Sequence, residues 1–197
     1  MAVTVSSGSG ETPDIPALYV EALAIFGRAV QDVQDHEWDL PTPCEDWDVR
    51  QVVAHVVLGE AAMTAAIAGD DAMGGLEVDA RVVGLNPMAT WRGTALKAID
   101  AARTAGLVDA SYEHPSGRVR GAQLLGYRIS ENLVHAWDIS VAVSRRQDPD
   151  NKLAEFVLDF WLPAVGDVQS SADYGDALMP VDGAAAGARL LALLGRS

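Results

Sequence analysis

The run GAQLLGYRISENLVHAWDISVAVS, residues 121 to about 144, limits what this chain can fold into more than any other stretch. Its apolar residues recur at helical spacing, as in a core helix. Within it Glu131 and His135 stand one above the other, four residues apart. Arg128 and Asp138 fall within roughly a third of a turn of the same line. Leu133, Val134, Trp137 and Ile139 are available for packing, so the polar stripe faces either water or a site.

The same periodicity continues along the chain. Leu18, Ala22, Ile25, Phe26, Ala29, Val30 and Val33 predict a first helix over residues 15 to about 36. WDLPTPCEDW, with two prolines, is a connector. Asp48 and Gln51 have the spacing of a capping box and open a second helix from 49 to about 68, ended by GDD. The segment GLNPMATWRGTALKAIDAARTAG predicts a third helix, with Pro87 in its first turn and Gly106 as its stop. Residues 107–120 are polar and mixed, with HPSG as a turn. A fifth helix is expected over 151 to about 168, and GAAAGARLLALLGRS is expected to form a short terminal one. No strand alternation or internal repeat stands out. The reading is all-α: a helical bundle in which the longer connections after the second and third helices imply a crossover.

A chain of 197 residues suits one domain, here taken as 15–197 behind a disordered Ser/Gly/Thr-rich leader over 1–14. The leader lacks the basic start and apolar core of a signal peptide, and no apolar run approaches the ~20 residues of a membrane span. The chain is therefore expected to be cytoplasmic, with no membrane partner. A formal charge of −14 argues against nucleic acid, whose phosphates call for Lys and Arg. One cysteine, Cys44, excludes an internal disulfide and a cysteine-only zinc site, so any metal must be held by histidines and carboxylates.

Of four histidines, His36 suits a helix C-terminus and His114 an exposed turn. His55 and His135 lie in densely apolar helices, where an unpaired imidazole is costly. Each can be satisfied by an ordinary hydrogen bond. The alternative is a shared centre: His55 from one helix, Glu131 and His135 from another, a donor set suited to zinc and several other divalent ions. Asp138 could then hold a ligand histidine, and Arg128 an anionic group or a carboxylate inside the bundle. Trp47, Trp137 and Cys44 read as packing residues.

WDLPTPCEDWDVRQVVAHVV, GYRISENLVHAWDISVAV and RLLALLGRS, in that order, resemble the DinB-like superfamily. The resemblance is to the branch containing the N-terminal domain of mycothiol-dependent maleylpyruvate isomerase. It implies a DinB-like four-helix bundle with a crossover connection and further C-terminal helix. It also implies a divalent metal, usually zinc or nickel, on His55, Glu131 and His135. The implied function is a mycothiol-dependent S-transferase or isomerase whose partners are a small thiol and an electrophile. Metal-dependent hydrolysis and a non-catalytic metal-binding sensor or interaction module are the other readings, and a homodimer through helix faces is left open.

Overall fold

Most of the helices begin where acidic or amide side chains hold their free N–H groups. Asp14 accepts the Ala17 N–H at 3.1 Å, and Asn86 accepts that of Ala89 at 3.0 Å, each with a proline in the first turn. Asp48 and Gln51 make both bonds of the expected capping box, at 2.8 and 3.0 Å. The computed structural model describes residues 13–45, 47–70, 78–114, 117–161, 177–179 and 181–196. Its helices are α1 (Ile15–Gln31), α2 (Val49–Ala68), α3 (Pro87–Ala102), α4 (Gly121–Ala142), α5 (Asn151–Trp161) and α6 (Ala186–Leu193). The expected leader, apart from residues 13 and 14, lies outside the described residues, as does the far end of the fifth predicted helix.

Two boundaries differ from expectation for visible reasons. α1 stops at Gln31 because Arg145 donates to the Asp32 carbonyl at 2.7 Å and to the Glu37 carboxylate, closing the helix end. α3 stops at Ala102, and Gly106, at φ 76°, opens a short 3-10 turn instead. That turn leads into a feature the sequence did not suggest, an antiparallel hairpin of β1 (Ser111–His114) and β2 (Gly117–Arg120). Each strand has four residues, and Tyr112 opposite Val119 is its one apolar pair. Such a segment has too little alternation to read as strand.

α1 packs on α4 and α3, while α2 packs on α3 and α4. Consecutive helices α1 and α2 therefore sit diagonally across the bundle, so a crossover already lies in the connector between them, whereas the longer connection after the second helix joins helices that pack together. α5 packs against α4 and α6. Leu23 and Phe26 of α1, Val53 and Val56 of α2, and Leu125, Ile129 and Leu133 of α4 fill the centre. Complete burial of side chains of this size contributes about 1.5–3 kcal/mol each.

α2 has the length and mean hydropathy, 1.5, of a membrane span, contrary to the expectation that no stretch approaches one. Its apolar residues are instead committed to the bundle core, and it carries Glu60 fully buried. α4 is buried on nearly every side. Arg128, Asn132, His135 and Asp138 are all inside, so the stripe faces other helices and not water. Burial on that scale obliges each polar group to find a partner.

Candidate metal centre

α2 and α4 bring His55, Glu131 and His135 together although 76 residues separate the first two. Glu131 Oε2 lies 2.7 Å from His55 Nε2 and 3.0 Å from His135 Nε2. The imidazole centroids are 4.9 Å apart with planes at 74°. One donor atom from each residue falls within 4.8 Å of the others. The Trp47 ring, 4.7 Å from that of His55 and 6.2 Å from that of His135, walls the cluster. Trp47 thus belongs to the site and not only to the core. The His55 side chain is 25% exposed and that of His135 4%, so the cluster opens toward solvent on the α2 side.

His135 is held from behind. Its Nδ1 lies 2.9 Å from Asp138 Oδ2, and Asp138 is fully buried. Each ring nitrogen of His135 therefore faces a carboxylate. A neutral imidazole has a single N–H. Either a second proton or a metal ion is therefore called for between His135 Nε2 and Glu131. Two imidazoles and one carboxylate around such a position fit zinc, nickel and related divalent ions, with room for an exogenous ligand. His55, Glu131 and His135 are the residues that could hold the ion.

The electrostatics follow this geometry. Burial opposes the charged form of His135, but hydrogen bonds and charges from Asp138 and Glu131 outweigh it and push its pKa up to about 9. Burial likewise works against the Glu131 carboxylate, and the two histidines overcome it, holding the group well below the usual carboxylate range. Asp138 is also lowered: burial is outweighed by His135 and by Arg196.

A second cluster comprises Cys44, His135 and Asp138. It suits a cation poorly because Arg196 already lies against Asp138 with two bonds of 3.0 Å. Burial, followed by the charge of Asp138, pushes the Cys44 thiol up to about 11. Iodoacetamide is therefore expected to alkylate Cys44 at pH 8 on the order of a hundredfold more slowly than an unperturbed cysteine. Rate constants measured by mass spectrometry check this, and a rate near that of free cysteine contradicts it.

Arg128 does not reach the cluster's solvent side. Its Nε and Nη2 donate to Glu60 Oε1 at 3.2 and 3.1 Å, and Nη2 to the Val56 carbonyl at 3.3 Å. Asn132 Nδ2 donates to the same Glu60 oxygen at 2.6 Å, and the Tyr19 hydroxyl donates to Glu60 Oε2. Gly59 permits this layer, because a Cβ there would lie 2.3 Å from Arg128 Nη1. Among the two other histidines, His36 is exposed beyond α1. His114 corrects the expectation of an exposed turn residue: it ends β1 half-buried, stacked 4.7 Å from the Tyr127 ring. Glu60, Tyr19 and Arg196 escaped the sequence reading. Glu60, an acid within the apolar α2, carried a signal, and so did the Gly-Arg pair closing RLLALLGRS.

The crossover bundle, with two imidazoles and a carboxylate converging between α2 and α4, defines a DinB-like protein. The chain belongs to the mycothiol maleylpyruvate isomerase N-terminal domain family, whose sequence model matches residues 19–140. Uncharacterised proteins from two strains of Mycobacterium tuberculosis are 30% identical to it over 129 residues, 66% of this chain and 67% of theirs. The crystal structure of a mycothiol-dependent maleylpyruvate isomerase superposes with a TM-score of 0.65 at 18% identity, over 86% of this chain and 75% of that one. A histidine-to-alanine mutant of a mycothiol-dependent maleylpyruvate isomerase gives 0.67 at 16% identity over the same shares. These likenesses share the fold.

Proposed function

We propose that His55, Glu131 and His135 bind a divalent metal, zinc first and nickel as the alternative, and that the protein is a cytoplasmic mycothiol-dependent S-transferase or isomerase. The observation that carries the reading is His135 placed between two carboxylates, which leaves a position for a cation beside His55 and Glu131. A metal there supplies Lewis acidity that lowers the pKa of a coordinated thiol. The chain's own part is to fix the His135 ring through Asp138, to shield one side with Trp47, and to leave the His55 side open for thiol and electrophile. Arg128 supports the centre from beneath, where its charge faces Glu60 and Glu131. Residues 15–197 are taken as one domain, since α5 and α6 pack on each other and α5 on α4.

Family membership favours a small-thiol cosubstrate over water. Hydrolysis would need a carboxylate base such as Asp138, but both its oxygens are engaged by Arg196 and one also by His135. The test is to incubate zinc-loaded protein with mycothiol and a panel of electrophiles that includes maleylpyruvate, following free thiol and product together. Transfer consumes one thiol per product, with the sulfur bonded to the electrophilic carbon. Isomerisation regenerates the thiol after addition, rotation and elimination. Turnover that proceeds equally well without thiol points to hydrolysis. No turnover over the panel, with a protein partner recovered, points to a sensor or interaction module.

A further inference from the structure

α6 ends in a motif that turns the chain back toward the metal centre. Gly195 takes φ 75°, its N–H donates to the Ala192 carbonyl at 3.1 Å, and the Arg196 N–H donates to that of Leu191 at 2.8 Å. This is the paired bonding of a Schellman terminator, which places a residue without Cβ at the left-handed position. Directly after the reversal, the Arg196 side chain enters the core, 4% exposed. Its Nη1 donates to the Leu194 carbonyl at 2.8 Å. The remaining edge meets Asp138 as a fork: Nε to Oδ1 and Nη2 to Oδ2, each at 3.0 Å.

The fork engages both Asp138 oxygens at once and so fixes the plane of that carboxylate. Oδ2 is then held where it meets His135 Nδ1. A carboxylate on Nδ1 selects the tautomer that carries hydrogen there and presents the Nε2 lone pair to an ion. Arg196 also balances charge. Asp138 has no exposure, and a neutral metal-binding His135 offers it no counter-charge. With Asp138 and Arg196 neutralising each other, Glu131 alone contributes a negative charge to the ion position.

We infer that Arg196 is a positioning residue for the metal centre, acting through Asp138 to orient His135, so that α6 completes a site whose ligands all lie on α2 and α4. The inference rests on the metal reading above, and its test separates the two. Zn²⁺ affinity is measured by chelator competition on metal-stripped full-length wild type, Arg196→Gln, Arg196→Lys and His135→Ala. Far-UV circular dichroism and two-bond ¹H–¹⁵N histidine spectra accompany each titration. Arg196→Gln is expected to weaken Zn²⁺ binding about 10–100-fold, the range typical of partners that orient a ligand. Helical content stays unchanged, and the His135 ¹⁵Nδ1 shift of the zinc-loaded protein moves, because the Asp138 carboxylate that accepts from it is no longer fixed. Arg196→Lys recovers part of the affinity, because it restores the charge without the two-bond fork.

Wild-type affinity in Arg196→Gln, alongside loss of binding in His135→Ala, overturns the positioning role and leaves the metal reading standing. Wild-type affinity in His135→Ala overturns the metal reading itself. Should Arg196→Gln fail to fold, Arg196→Lys decides: zinc affinity equal to wild type overturns the role of the two-bond fork, and weakened binding in a folded protein supports it.

Discussion

His135→Ala and His55→Ala proteins are each expected to lose stoichiometric zinc, by more than the ~10–100-fold that an orienting partner contributes. Either change leaves one imidazole and Glu131, too few protein donors for a catalytic-type zinc centre. Metal content after dialysis and chelator-competition titrations measure the effect; occupancy equal to wild type in both variants sinks the ligand set. Protons compete for the same place. In the metal-free protein His135 has its pKa raised from 6.5 to about 9. Its contribution to stability is thus complete below about pH 6.5 and is lost as pH rises through about 9. Glu131 and Asp138 are lowered, so their contribution holds above the ordinary carboxylate range and is lost as pH falls through their shifted values. Metal-free protein should therefore melt at a lower temperature at pH 9 than at pH 6.5. Zinc, which displaces the proton, should bind more tightly with rising pH over that window.

Glu60→Ala should cost about 3–5 kcal/mol, the usual result of removing one partner from a buried ion pair. Glu60 has no exposure and accepts from Arg128, Asn132 and Tyr19. Without it a buried guanidinium, an amide and a phenol lose the carboxylate they share, and Arg128 keeps only the Val56 carbonyl against its charge. Against a typical total of about 5–15 kcal/mol, that loss threatens the fold itself. Urea unfolding with a fitted midpoint measures it. The double variant Glu60→Met with Arg128→Leu should regain most of the stability, because removing both charges removes the unpaired one. A single variant within about 1 kcal/mol of wild type would falsify the account of this layer.

Arg128 and His135 show how far the sequence could be read. Helical spacing placed both on one stripe of α4, and burial of the whole helix explains why that stripe could not face water. Spacing could not say that the stripe divides, with Arg128 meeting Glu60 across 68 residues and Glu131 with His135 meeting His55 across 76. That division depends on which turn of α2 lies opposite which turn of α4, a register set by side-chain packing. The hairpin at 111–120 was missed because two four-residue strands with one apolar pair leave almost no period to detect.

Local chemistry in the chain was enough to define the helices, the Asp48–Gln51 cap and a histidine–carboxylate pair one turn apart on α4. These depend on neighbours within four residues, whose geometry a helix sets by itself. Arg196 against Asp138, 58 residues apart, arose only from packing, as did Glu60 beneath Arg128 and Trp47 beside His55. The physical reason is desolvation. A charged side chain is indifferent to a distant partner while water surrounds it. Once the bundle closes and excludes that water, the partner that tertiary structure has brought within reach becomes obligatory.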